Sequence, residues 1–169
     1  MSANQYASVL ARYNHEANAN MAALLDKLPA AELAKDRKSY YKSLLGLYSH
    51  IAGGELFTLK NIRAALPGKA SLSAPILDTQ MQPGKPAFAD YASSKAALDA
   101  LDAALIGLSE SLSEAELEGV ADVHGRKQSV SKSLASAIAH AAHHRGEVAQ
   151  ILDEMGVEND FFMAGVSGC

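Results

Sequence analysis

The chain has 169 residues, of which 49% are hydrophobic and 20% are charged, and its formal net charge is −4. This length and composition predict a single globular domain over residues 1–169. The negative charge argues against a nucleic-acid-binding protein or a protein that binds acidic membranes, because both need a basic surface. The one cysteine, Cys169, excludes a disulfide within the chain and a zinc site built from several thiolates.

Neither a signal peptide nor a membrane span is predicted. Residues 1–5 lack the basic start and the apolar run of a signal peptide. No stretch of the sequence approaches the roughly 20 apolar residues that cross a bilayer as a helix. We therefore expect a soluble protein of the cytoplasm that acts without a membrane partner.

The first two predicted helices are each ended by a proline. Apolar residues spaced three and four apart predict the first helix over residues 4–28, and Pro29 ends it. The same spacing predicts the second helix over residues 39–66, which Pro67 and Gly68 end. Both helices are long enough to run the length of a bundle.

Two further helices are predicted in the second half of the chain. The third covers residues 88–112 and is dense in alanine and leucine, which are the best helix formers. The fourth covers residues 129–155, with Ser129 as its N-cap and Gly156 directly after its end. No segment of the sequence is predicted to be a strand.

The connection between the second and third predicted helices indicates the topology. The connection, residues 67–87, contains four prolines and two glycines. It is much longer than the loop that joins two antiparallel helices in a hairpin. A connection of about 20 residues can span the roughly 40 Å length of a helix. The second and third helices are therefore expected to run parallel, and the predicted fold class is an all-α four-helix bundle with a long crossover.

Three histidines are the strongest functional signal. His140 and His144 are four residues apart in the fourth predicted helix, so both rings lie on one face. His50, in the middle of the second predicted helix, is the candidate for a third ligand. Three neutral imidazoles can hold one divalent metal ion and leave a coordination position open. The alternative is that each histidine is a core or rim residue whose ring is satisfied by a hydrogen bond.

Glu147 lies one turn beyond His144 on the same face of the predicted helix. It is a candidate to orient a ligand imidazole, to bind the metal, or to act as the catalytic base. The alternative for Glu147 is a solvated carboxylate that pairs with a nearby cation. His143 is expected to be exposed, and Arg145, which points away from the histidine face, is expected to be structural.

Other polar residues give weaker signals. His15 and His124 have no helical partner and are expected at the surface. Asn14, Asn18 and Asn20 are poor helix formers within the first predicted helix. They are candidates to cap or bridge something polar in the interior.

Glycines are unusually frequent in the second predicted helix, where each costs about 1 kcal/mol relative to alanine. Gly46 is expected to leave space beside the ring of His50. Gly53 and Gly54 are expected to allow a neighbouring helix or a ligand to approach the backbone. Tight helix packing alone is the alternative explanation for all three glycines.

Three segments of the chain resemble the DinB-like (damage-inducible) superfamily of four-helix metalloproteins. Residues 13–18 resemble the Tyr-Asn-x-x-Ala-Asn start of that superfamily, and residues 49–55 resemble its histidine motif in the second helix. Residues 139–147 resemble its motif Asn-His-x-x-His-His-Arg-Gly-Gln, which is the most specific of the three. The chain departs from the pattern by having no tryptophan and by carrying Glu147 in place of the glutamine.

The resemblance implies an up-down-down-up bundle, often a homodimer, with a divalent metal on His50, His140 and His144. Characterised relatives in the superfamily are metal-dependent transferases and isomerases that use low-molecular-weight thiols. A thiol S-transferase is therefore implied, with a small electrophile as second substrate and with Glu147 or water as the acceptor of the thiol proton. Zinc or nickel is the expected ion, since imidazole ligands suit both. The alternative is a non-catalytic metal-binding or stress-response protein.

Overall fold

Four long helices dominate the computed structural model, which describes residues 2–123 and 125–161. They are α1 (Ala3–Leu25), α3 (Leu44–Ala65), α4 (Tyr91–Ser111) and α6 (Val130–Glu154). Two short helices, α2 (Ala30–Ala34) and α5 (Glu114–Leu117), and two strands, β1 (Val120–Val123) and β2 (Arg126–Ser129), lie in the connections. The predicted helical bundle is confirmed. Within the described residues, no helix is long and apolar enough to span a bilayer.

The long helices begin where polar side chains cap them. Ser129 accepts a hydrogen bond from the backbone N–H of Lys132 at 3.2 Å, which confirms its predicted role as an N-cap. Ser43 accepts one from the N–H of Gly46 at 3.0 Å, so α3 begins at Leu44. The predicted start of this helix at residue 39 was wrong, because Ser43 caps the helix and residue 42 has a left-handed backbone.

A short β-hairpin precedes α6, and the prediction that the chain has no strand was wrong. β1 and β2 pair antiparallel, with Val120 opposite Ser129. Gly125 turns the chain with a φ of 75°, and its N–H donates to the side chain of Asp122 at 2.7 Å. β2 contains no apolar residue, so no alternating hydrophobic pattern marks the hairpin in the sequence.

Contacts between helix ends show how the long helices run relative to one another. The hydroxyl of Tyr91 at the start of α4 donates to the carbonyl of Ala22 near the end of α1 at 3.1 Å, so these helices are antiparallel. The rings of Tyr48 and Tyr91, both near the starts of their helices, lie 5.2 Å apart, so α3 and α4 are parallel. Arg37 before α3 contacts Met155 after α6, so α3 and α6 are antiparallel. The bundle is therefore up-down-down-up.

The crossover between α3 and α4 is packed onto the bundle. Residues 70–73 and 75–78 form 3₁₀ turns, and their side chains Leu72 and Leu77 are buried in the core. Lys60 on α3 donates to the carbonyl of Thr79 at 2.8 Å. The crossover thus has a fixed position, and its last residues approach the first half of α3 from outside.

The interior of the bundle contains a polar cluster as well as apolar side chains. Arg145 on α6 donates to the side-chain oxygens of Asn14 at 2.8 Å and Asn18 at 2.6 Å. Asn14 donates in turn to Glu55 on α3 at 3.4 Å and to Asp102 on α4 at 3.1 Å. All five residues are at most 5% exposed. We call these five residues the buried polar cluster; it joins all four long helices.

Charge within the buried polar cluster is unevenly balanced, since two carboxyl groups face one guanidinium. Burial, together with the charge of Asp102, raises the pKa of Glu55 well above its ordinary range. Burial also raises the pKa of Asp102, although hydrogen bonds from Asn18 and the partly exposed His15 act in the opposite direction. Glu55 therefore holds its proton more strongly than an exposed glutamic acid does, and Arg145 is the cation that faces the two carboxyl groups.

Replacing Arg145 by methionine should lower the free energy of unfolding by about 3–5 kcal/mol, because it leaves a buried carboxylate without its cation. Arg12→Met, which removes an exposed pair with Glu110, should cost less than about 1 kcal/mol. Urea denaturation of both variants measures the difference. Glu55→Gln should be milder than Arg145→Met, and an equal loss would contradict the raised pKa of Glu55.

Candidate metal centre

The three predicted ligand histidines come together between α3 and α6. The Nε2 atoms of His50 and His140 are 2.9 Å apart. The ring centroid of His144 lies 4.5 Å from each of the other two. One nitrogen from each ring lies within 4.8 Å of the others, which is the arrangement of a group that could hold a metal ion. The i, i+4 spacing on α6 and the central position of His50 thus predicted this cluster correctly.

Glu147 orients the most buried of the three rings. Its carboxylate oxygen lies 2.8 Å from Nδ1 of His144, whose side chain is 7% exposed. An ionised carboxylate fixes the hydrogen on Nδ1, so the lone pair of His144 is on Nε2. Of the three roles that the sequence left open for Glu147, this geometry favours the orienting one.

The surroundings of His50 and His140 favour their neutral forms. Burial is the main cause that lowers the pKa of His50 to about 4, and the neighbouring His140 and His144 add to it. Burial also lowers the pKa of His140, again with a contribution from His144. Neutral imidazoles are the form that binds metal, so near pH 7 these two rings need to lose no proton before they act as ligands.

Gly54 makes room for His140. A β-carbon built at Gly54 would lie 2.4 Å from Cε1 of the His140 ring, which is closer than any real contact. The expectation that Gly54 allows a close approach is therefore confirmed, and the approaching group is the ring of His140 on α6. At Gly53 the space is ordinary, with the side chain of Ala87 at 3.7 Å.

Gly46 has a different role from the one expected. A β-carbon at Gly46 would lie 1.9 Å from the backbone carbonyl oxygen of Tyr41, and no atom of His50 is among its nearest neighbours. The missing side chain therefore admits the backbone of the preceding segment, not the imidazole. The expectation that Gly46 leaves space beside His50 was wrong.

Tyr41 is a residue of the site that the sequence analysis missed. Its hydroxyl oxygen lies 2.8 Å from Nε2 of His50, and its ring stacks on the His50 ring at 4.0 Å. It also meets the ring of His144 edge-on at 5.1 Å. Tyr41 was hidden because the helical pattern was extended back to residue 39, which gave Tyr40 and Tyr41 the appearance of ordinary helix residues.

A cleft of about 850 Å³ opens beside the histidines. His50 and His140 line it, together with Tyr41 and the segment of the crossover around Lys85. The charged side chains among its described lining residues are Lys42 and Lys85, and no described carboxylate lines it. The cleft is therefore electropositive even before a cation is added, and its wall combines this charge with aromatic and apolar groups.

The remaining predicted residues lie outside this cluster. The side chain of His143 is 69% exposed, as expected, and its Nε2 is 3.7 Å from Glu147. The side chain of His15 is 43% exposed, which agrees with the expected surface position, and its Nδ1 is 3.4 Å from the buried Asp102. Asn14 and Asn18 do bridge interior polar groups, whereas Asn20 is exposed.

Two predictions fall on residues that the structure does not describe. His124 was expected at the surface, and Cys169 is the single cysteine of the chain. Both lie outside residues 2–123 and 125–161.

The donor set fits a divalent ion of the first transition row. Nε2 of His50 and Nε2 of His140 are 2.9 Å apart, and one hydrogen atom between them can satisfy only this pair. A single proton therefore serves three converging rings poorly. Nitrogen ligands of one tetrahedral zinc ion, each about 2.0–2.1 Å from it, are about 3.3 Å apart, which is close to the observed separation. His50, His140 and His144 would hold the ion, with Glu147 fixing the orientation of His144.

We expect about one zinc or nickel ion per chain in the untagged wild-type protein after reconstitution. His50→Ala and His144→Ala should each lose it, because a ligand is removed. His143→Ala is the matched control on the same helix and should retain the ion. Elemental analysis measures the metal content of all four proteins. An absence of metal in the reconstituted wild type would favour the alternative that the histidines are satisfied by hydrogen bonds alone.

Acid should destabilise the metal-free protein in a way that depends on His50. Folded His50 has a pKa of about 4 against an ordinary 6.5, so between these values the unfolded chain binds more protons. The free energy of unfolding should therefore fall as the pH is lowered from about 7 towards 4. His50→Gln should flatten this dependence in urea titrations with a chelator present, and an unchanged slope would contradict the assignment.

One comparison with known proteins gives a match. The model of the DinB family matches residues 1–164, which is nearly the whole chain. No curated protein and no solved structure shows significant similarity to the chain.

Proposed function

The chain belongs to the DinB family, and we propose that it is a divalent-metal-dependent thiol S-transferase. Its substrates would be a low-molecular-weight thiol and a small electrophile. The observation that carries the proposal is the electropositive cleft, which opens directly beside His50 and His140. A site that only stabilises the fold has no need of a cleft of this size.

The chain's own residues supply positioning and charge. His50, His140 and His144 would hold the ion, which acts as a Lewis acid that lowers the pKa of a bound thiol. Glu147 fixes the ring of His144 through Nδ1. Lys42 and Lys85 on the cleft wall attract an anionic group of either substrate. Tyr41 and Phe57 supply apolar surface beside the histidines.

Zinc or nickel is the ion that we propose. Both accept imidazole nitrogen readily, and the choice between them depends on cellular supply as much as on affinity. Zinc gives a Lewis acid without redox chemistry, which suits transfer of a thiolate in the presence of easily oxidised thiols.

A non-catalytic metal-binding protein is the second candidate. The observation that favours it is the hydroxyl of Tyr41, 2.8 Å from His50, because a fourth protein group at the ion would close the site. Catalysis requires a position that a substrate can occupy. The two candidates therefore differ in whether a thiol reaches the histidines.

Zinc-loaded protein should accelerate conjugation of mercaptoacetate to a chromogenic aryl halide, and His144→Ala should reduce the rate at least about tenfold by loss of the ion. Lys85→Gln should raise KM for mercaptoacetate about fivefold, equivalent to ~1 kcal/mol, with little change for neutral 2-mercaptoethanol. Lys127→Gln, an exposed lysine of β2 outside the cleft, is the matched control.

Metal binding without rate enhancement for any thiol and electrophile tested would favour the non-catalytic candidate. An equal change of KM for both thiols in Lys85→Gln would contradict an anion-attracting role for this residue.

A further inference from the structure

Tyr41 reaches the point at which the ligand nitrogens meet. Its hydroxyl oxygen is 2.8 Å from Nε2 of His50, and the same nitrogen is 2.9 Å from Nε2 of His140. The tyrosine ring also contacts His144. The phenol oxygen thus lies beside the His50 nitrogen that faces His140, and it comes from a different segment of the chain.

The hydrogen bond between Tyr41 and His50 cannot persist once His50 binds an ion through Nε2. That nitrogen has a single lone pair, so it either accepts a hydrogen bond or coordinates a metal. The phenol oxygen then needs another partner at the same place. Its 2.8 Å distance from a ligand nitrogen is near the roughly 3.3 Å between neighbouring ligand atoms of a tetrahedral ion.

We propose that the hydroxyl oxygen of Tyr41 is a fourth protein ligand of the metal centre. The proposal rests on the proposed metal binding by His50, His140 and His144. The phenol oxygen would take the fourth place beside three nitrogens in the resting protein, and a thiol substrate of the proposed transferase would displace it or bind as a fifth ligand. Coordination replaces the O–H bond of the phenol by a bond from oxygen to the metal, and the proton passes to the buffer.

The segment that carries Tyr41 is held in place by several backbone contacts. The carbonyl oxygen of Tyr41 occupies the space that a side chain at Gly46 would fill. The N–H of Arg37 donates to the carbonyl of Lys42 at 2.5 Å. Lys42 itself has a φ of 68°, which is a left-handed conformation. This conformation is unfavourable for any residue that has a β-carbon. The fold thus maintains an unfavourable backbone directly after Tyr41.

The neighbouring Tyr40 provides a matched control. Its side chain is 88% exposed, and it meets the Tyr41 ring edge-on at 4.9 Å. Phenylalanine at position 41 keeps the stacking on His50 and removes the oxygen alone. The pair Tyr41→Phe and Tyr40→Phe therefore separates the role of the phenol oxygen from that of an aromatic ring in this segment.

The test uses copper(II) as an optical probe, because a tyrosine oxygen bound to copper(II) gives a charge-transfer band in the visible that imidazole ligands alone do not give. The full-length wild type and Tyr40→Phe, loaded with one equivalent of copper(II), should show this band. Tyr41→Phe should bind the same amount of copper without the band. In a chelator competition, Tyr41→Phe should also bind zinc about tenfold more weakly or worse.

The outcomes distinguish the role of Tyr41 as a ligand from metal binding by the three histidines. Copper bound to the wild type with no band, or with a band that survives in Tyr41→Phe, would overturn the role of Tyr41 and leave the histidine site standing. Failure of the wild type to bind either metal would overturn both. Circular dichroism of Tyr41→Phe checks that the bundle is intact.

Discussion

The burial of one guanidinium group constrains the whole bundle. Arg145 donates to Asn14 and Asn18 on α1, and through them it is joined to Glu55 on α3 and Asp102 on α4. Hydrogen bonds of this kind need correct geometry, whereas apolar contacts tolerate sliding. The four long helices can therefore satisfy the cluster in one register only. A shift of α6 by one turn would leave a buried charge without partners.

This register also sets the metal centre. Arg145 follows His144 directly, and Glu55 follows His50 by five residues, so both helices present the buried polar cluster on one face and an imidazole on another. The cluster is enclosed, whereas His50 and His140 border an open cleft and have lowered pKa values. Separation of the two environments within the same helices lets one maintain the fold while the other stays accessible from the cleft.

Much of this organisation was predictable from the sequence, and the remainder was not for physical reasons. The spacing of His140 and His144 identified their common face, because helical geometry is local. The partners of Arg145 were not predictable, since they depend on how separate helices meet. Tyr41 was missed because the apolar spacing of α3 continues toward the N-terminus beyond Ser43, where the helix actually begins. The spacing alone therefore placed Tyr41 inside the helix. The poor helix formers Asn14 and Asn18 were the one local signal of the buried polar cluster.

The wall of the cleft has an origin different from that of its floor. The floor is built on α3 and α6, whereas Met81, Lys85 and Pro86 belong to the crossover, and all three side chains are exposed. Surface connections accept substitution and changes of length far more readily than packed helices do. The lining of the cleft can therefore diverge among descendants of this chain while the three histidines beneath it stay in place. In design terms, residues 81–87 form an exchangeable wall above a fixed group of histidines.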